Sequence, residues 1–148
     1  MSHSEQSLPQ RAKALAERAH ADQRDKAGAP YIAHCARVAS AVASDPMAEA
    51  VGWLHDVLED CADVFCEEVY TFPHAVAHAC VLLSRASAAT PEAYYAGIRS
   101  DPLALRVKLA DIADNADEAR LALVDAETAD RLRKKYAQAL NSLGVAAS

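Results

Sequence analysis

Apolar residues recur every three to four positions through most of the chain, broken at short intervals by polar or proline-bearing pieces. That spacing predicts an all-α fold, a bundle of short helices. A first helix is expected over 8–21, with Ala12, Leu15, Ala16 and Ala19 on its apolar side. The stretch 22–29 is charged, contains Gly28 and reads as a loop. Pro30 suits the first turn of a second helix over 31–44. Asp45-Pro46 restarts the chain as a third helix, expected to run unbroken through Trp53 and Leu54 to His55 and Glu59. After Cys61 a short acidic piece leads to Phe72-Pro73 and a helix reaching about Ser87. Thr90-Pro91 and Asp101-Pro102 each read as an N-cap followed by proline at the first helical position. The last helix is expected over 128–143. Nothing repeats, so 1–148 reads as one domain with loose tails.

Composition sharpens the picture. Alanine is abundant and there are only 4 glycines, which favours helix throughout. With 148 residues, 52% of them apolar, a core can form without disulfides. Cys35, Cys61, Cys66 and Cys80 show no C-x-x-C spacing and have apolar neighbours, so buried, reduced thiols are expected. A formal charge of −6 excludes bulk nucleic-acid binding, which needs a basic face. No apolar run is long enough to span a membrane, and 1–7 has neither the apolar stretch nor the basic region of a secretory leader. The expected location is cytoplasmic.

The candidate chemistry starts at His55-Asp56, with Glu59-Asp60 following. On a continuous helix His55 would share a face with Glu59, and Asp56 with Asp60. The flanking Val, Trp and Leu residues imply burial, and adjacent buried carboxylates cost several kcal/mol unless a cation neutralises them. A divalent metal is the simplest such cation. Two further segments can complete its coordination. His34 lies one turn into the second helix, and Asp111 shares a helical face with Asn115, with Asp114 close by. Two imidazoles and two carboxylates from separate helices form a mixed N/O set suited to Mn²⁺, with Fe²⁺ or Zn²⁺ as alternatives, and with positions open to water.

Three blocks carry a family likeness: His20-x-x-Gln23-x-x-Lys26-x-Gly28-x-Pro30-Tyr31-Ile32-x-His34, then Leu54-His55-Asp56-Val57-x-Glu59-Asp60, then Val107-Lys108-Leu109-Ala110-Asp111-x-x-x-Asn115. In this order they resemble the HD-domain metal-dependent phosphohydrolases, and among these the hydrolase domain of RelA/SpoT-type proteins and small alarmone hydrolases, over about 8–120. The resemblance implies an HD-domain helical bundle holding a divalent ion on His34, His55, Asp56 and Asp111. It implies Glu59 and Asp60 as the catalytic acidic pair, with Arg24, Lys26 and Asn115 on the substrate side. The implied substrate is a small phosphorylated metabolite or nucleotide, of which guanosine 3′,5′-bis(diphosphate) is the leading single example. A different phosphoester, or a metal-bound nucleotide sensor without turnover, are the alternatives. The chain departs from the pattern at Asp25 and Asp117, where those hydrolases carry arginine, and at Cys35, where they carry proline. If Asp25 faces the pocket, it and Asp117 would weaken tetraphosphate hydrolysis in favour of a less charged or different substrate, and Asp25→Arg would improve activity on the tetraphosphate.

Other polar residues have plainer readings. Asp114 and Asp117 are expected on a solvated face, and His20 is either close to the site or on the surface. His74 and His78 have metal-ligand spacing but no third partner. Only one of Arg106 and Lys108 can face the site, and Tyr94-Tyr95 is expected to pack between helices.

Overall fold

The computed structural model describes residues 6–145, so the expectations of loose tails and of no leader fall partly or wholly outside the described residues. Among the described residues ten α-helices follow one another: α1 Leu8–Ala19, α2 Tyr31–Ala41, α3 Pro46–Leu54, α4 Val57–Asp60, α5 Asp63–Val69, α6 His74–Leu83, α7 Pro91–Ser100, α8 Pro102–Asn115, α9 Glu118–Leu121 and α10 Ala126–Ser142. No strand occurs among the described residues; an isolated bridge between Arg24 and Pro30 closes the loop before α2. The fold is all-α.

Caps explain most boundaries. Ser7 and Gln10 form a reciprocal capping box on α1. Asp45, Thr90 and Asp101 each accept a backbone N–H of the helix they precede, with proline just inside, as their sequence signals predict. Asp125 does the same for α10, which therefore starts two residues before the expected 128. Helices α1 and α2 stop short of their expected ends, and the expected helix from Phe72-Pro73 gives way after Leu83 to a 3-10 turn, Arg85–Ser87. Two short helices, α5 and α9, lie where no helix was expected. Each is too brief for apolar periodicity to register.

Helix α3 is the centre of the bundle. Apart from Glu49 in its first turn its sequence is apolar, and such a helix is stable only when surrounded. Ala48, Ala50, Val51 and Leu54 are completely buried, and α1, α2, α6 and α8 pack around them. Gly52 permits a close approach of α2. A Cβ built there would stand 2.8 Å from the Ala39 Cα of α2, closer than real atoms come. This contact sets the last turn of α3 against the last turn of α2 and so helps fix the spacing between α2, which carries His34, and the end of α3, which His55 follows.

Among the cysteines, Cys35 and Cys80 are buried, whereas Cys61 and Cys66 are partly exposed, and all four are free thiols. The expectation of four buried thiols fails for Cys61 and Cys66 because Cys61 lies in the connection between α4 and α5 and Cys66 lies on the short, surface-lying α5. No helix among the described residues is long and apolar enough to cross a membrane.

Candidate metal centre

The third helix does not run on through the His-Asp pair. It ends at Leu54, His55 and Asp56 form a turn, and α4 starts at Val57. The expected stacking of His55 with Glu59 and Asp56 with Asp60 on one unbroken helix is therefore incorrect. The break has a chemical consequence. Neighbouring residues in a regular helix diverge and do not face each other. With Asp56 at φ −108° and ψ 3°, both side chains instead turn inward, and His55 Nε2 lies 3.1 Å from Asp56 Oδ2.

His34, from the first turn of α2, and Asp111, from the middle of α8, meet them. One ligand atom from each of His34, His55, Asp56 and Asp111 lies within 4.8 Å of the others. Both imidazoles and Asp111 are buried, and Asp56 is nearly so. This group could hold a divalent metal ion.

The hydrogen bonds show why a cation fits. His55 Nδ1 donates to the Gly52 carbonyl at 2.8 Å. His34 Nδ1 donates to Asp114 Oδ2 at 2.6 Å. Each ring thus spends its Nδ1 proton outward and, as a neutral imidazole, turns a bare Nε2 lone pair toward carboxylate oxygens. His34 Nε2 is 2.9 Å from Asp111 Oδ1. His55 Nε2 is 3.3 Å from the same oxygen, yet it has no aligned hydrogen-bond partner. Lone pairs converging on a common point are stable only around a positive charge, and an outer carboxylate or carbonyl on each ligating histidine is the usual support for a metal.

Without a metal, protons must serve. Burial opposes charge on His55, but the charges of Asp56 and Asp111 outweigh it and raise its pKa well above the free imidazole value. Burial likewise opposes charge on His34, and its bonds to Asp111 and Asp114 push its pKa up. The carboxylates move the other way. Burial works to raise Asp56, but His55 and the Tyr31 hydroxyl, which donates to Asp56 Oδ2, bring it down to about 2. Asp111 is held well below the ordinary range, against burial, by His34, His55 and Lys108.

The remaining expected residues separate. Asn115 donates to Asp111 Oδ1 at 3.0 Å, one turn further along α8. Of the two basic candidates on α8, Lys108 faces the site, donating to Asp111 Oδ2 at 3.2 Å, while Arg106 reaches Ser44 and Asp45. Glu59 and Asp60 part company. Glu59 accepts the backbone N–H of Arg85 at 2.7 Å, which ties it to the 3-10 turn. Asp60 accepts from Gln23 Nε2 at 3.2 Å, and Gln23 Oε1 is 2.7 Å from Nδ1 of the buried His20. Burial, with the charges of Asp56 and Glu59, raises the Asp60 pKa although Gln23 opposes it.

A cleft of about 270 Å³ reaches His34 and Asn115. Arg24, Asp25, Lys26 and Tyr31 line it together with Arg120, Lys135 and Tyr136, with Leu121, Val124 and Leu132 as its apolar part. Lys135 has its pKa lowered by burial and by the charges of Arg85, Lys26 and Lys108, the mark of a crowded cationic neighbourhood.

Both acidic departures take other roles. Asp25 Oδ1 accepts the backbone N–H groups of Ala27 and Ala29, and its Oδ2 accepts from Arg120 Nη2 at 2.9 Å. Its charge is answered within the protein. Asp117 is exposed, does not line this cleft, and caps α9. Of the two, Asp25 lines the cleft with its charge paired to Arg120, and Asp117 does not reach it. Asp114 is no solvated side chain either: it is half-buried and accepts from His34, Arg37 and Arg120. Arg120, Lys135 and Tyr136 went unremarked in the sequence, since no spacing links them to the three motif blocks. His74 and His78 stack at 5.7 Å with no third ligand among the described residues, and Tyr94 packs with its hydroxyl on the Leu83 carbonyl.

No family model matches the chain, and no curated protein matches it significantly.

Proposed function

We propose that the chain is a metal-dependent phosphohydrolase of the HD type, acting on a small phosphorylated metabolite or nucleotide. The observation that carries this reading is a buried His34–His55–Asp56–Asp111 cluster joined to a cleft whose walls carry Arg24, Lys26 and Lys135. An acidic centre under a basic rim suits a cation bridging the protein to an anionic group. A divalent ion held on these four side chains, Mn²⁺ being the first choice, would polarise a phosphoryl oxygen and lower the pKa of water.

The chain's own groups have separable tasks. Lys26, Arg24 and Lys135 bind and orient phosphoryl oxygens, the point-charge role for which lysine is suited. Leu121, Val124, Leu132 and Tyr136 offer an apolar surface to the organic part of the substrate. Asp60 is the better candidate of the acidic pair to hold a proton and pass it to the leaving oxygen. Its pKa is raised, and its carboxylate is oriented by Gln23. Glu59 is occupied by the Arg85 N–H. Guanosine 3′,5′-bis(diphosphate) remains one candidate substrate among phosphoesters, since the Asp25 in the cleft has its charge paired with Arg120.

The test is a Mn²⁺-supplemented screen of nucleotides and other phosphoesters, following phosphate and pyrophosphate separately. Release of either that is lost in Asp56→Ala supports the proposal. Stoichiometric metal with no release from any compound would favour the second reading, a metal-bound sensor module.

A further inference from the structure

Asp25 lies on the loop before α2, and Asp114 near the end of α8, yet one side chain holds both. Arg120 Nη2 donates to Asp25 Oδ2 at 2.9 Å and Nη1 donates to Asp114 Oδ2 at 2.6 Å. Each partner makes bonds that define its own surroundings. Asp25 Oδ1 accepts from Ala27 N at 3.0 Å and Ala29 N at 2.9 Å, which shapes the turn that presents Arg24 and Lys26 to the cleft. Asp114 Oδ2 accepts from His34 Nδ1 at 2.6 Å, which fixes the ring whose Nε2 points to Asp111. The guanidinium therefore closes an unbroken series of bonds from the cleft-lining loop to a member of the acidic cluster.

We propose that Arg120 is a positioning residue that couples the order of the 22–30 loop to the hold of His34 on a divalent ion. The inference rests on the metal-centre reading above and adds to it a linkage between cation binding and the substrate side of the cleft. Three features suit Arg120 to this task. Its planar fork meets two carboxylates at once, which a lysine ammonium on one flexible stem does not reproduce. The pair is only partly open to water, with side-chain exposures of 22% for Arg120 and 11% for Asp25. Gln23 ties one end of the loop to His20 and Asp60, and backbone bonds between Asp25, Gly28 and Ala29 close its turn, but Arg120 is the side chain that ties the tip of that turn to α8.

Linkage makes the coupling reciprocal. If loop order strengthens the hold of His34 on the ion, ion binding must order the loop by the same factor. Outer partners of metal-ligating histidines typically contribute about 10- to 100-fold in metal affinity. Arg120 acts one bond further out, through Asp114, so Arg120→Met is expected to cost a few-fold to about 10-fold, the lower edge of that range. Asp25→Asn retains the oxygen that accepts Ala27 and Ala29 but loses the ion pair, so a smaller loss is expected there. The double variant should bind no more weakly than Arg120→Met alone, because both changes cut one path.

The experiment measures Mn²⁺ binding by calorimetry, and amide exchange of Ala27 and Ala29 with and without Mn²⁺, in the parent and the variants Arg120→Met, Arg120→Lys and Asp25→Asn. In the parent, Mn²⁺ should slow exchange at both amides. In Arg120→Met that protection should vanish, and Arg120→Lys should not restore it. Unchanged Mn²⁺ affinity in both Asp25→Asn and Arg120→Met would overturn the coupling, as would equal protection of the loop by Mn²⁺ in parent and variant. Restoration by Arg120→Lys would reduce Arg120 to a charge. A parent protein that takes up no divalent ion would instead remove the metal-centre reading, a result visible before any variant is compared.

Discussion

Asp56 and Asp111 each bring a nearly buried charge to the same point, and each is answered there by histidine. Replacing either leaves the cluster short of a ligand, so Asp56→Ala and Asp111→Ala should each lose stoichiometric metal by elemental analysis, with hydrolysis lost as well. The acidic pair should behave differently. Asp60→Asn should retain metal and fold while hydrolysis falls about 10²–10⁴-fold, the usual weight of a positioned proton donor. Glu59→Gln should cost less, because an amide oxygen can still accept the Arg85 N–H. Equal losses in the two variants would remove the distinction between them. Asp25→Arg, which the sequence alone favours as a gain, should instead be harmful. It would set two guanidinium groups together and release the Ala27 and Ala29 amides, so phosphoester turnover should fall and loop exchange should rise.

Helix α3 reaches the site only because Gly52 lets it lie against Ala39. A methyl group there meets backbone, which cannot rotate out of the way. Gly52→Ala should therefore destabilise the protein by about 1–3 kcal/mol, the typical cost of overpacking, despite alanine's better helix propensity. Chemical denaturation would show it. Metal affinity should fall too, since the Gly52 carbonyl accepts the His55 Nδ1 proton. Unchanged stability would mean that α2 and α3 separate more easily than their packing implies. The turn at His55–Asp56 belongs to the same scale. It was illegible in a sequence whose apolar period continues on both sides of it, because only the neighbours of α3 determine where the helix must stop.

For the molecule as a whole, the centre links stability to pH and metal. His34 and His55 have pKa values raised above 6.5 in the metal-free protein. A raised folded-state pKa gives stability that is complete below the unfolded value and lost as pH rises through the folded value. The metal-free protein should therefore lose thermal stability as pH rises above 6.5 through those raised values. Asp56 and Asp114, both lowered from 3.8 to about 2, contribute stability above 3.8 that is lost as pH falls through about 2. Mn²⁺ should reverse the alkaline loss, because it supplies the positive charge that the imidazole protons give up. At 100 times its dissociation constant it should add about 2.7 kcal/mol. Melting curves at several pH values with and without Mn²⁺ would check both signs, and a metal-free melting temperature that rises above pH 6.5 would contradict them.

Sequence by itself determined the all-α class and the capped starts at Asp45, Thr90 and Asp101, and it pointed to a buried His/Asp cluster, whose set of His34, His55, Asp56 and Asp111 was what the family resemblance implied. These are local or strongly constrained: a cap needs one side chain and the next few backbone N–H groups, and buried charges have few ways to be satisfied. Tertiary structure alone decided the turn at His55–Asp56, the parting of Glu59 from Asp60, and the pairing of Asp25 and Asp114 through Arg120. A charge read from sequence has a sign but no partner. Whether Asp25 repels a ligand or steadies a loop depends on which helix end stands opposite it, and α9, four residues long, carries no periodicity from which its position could be inferred.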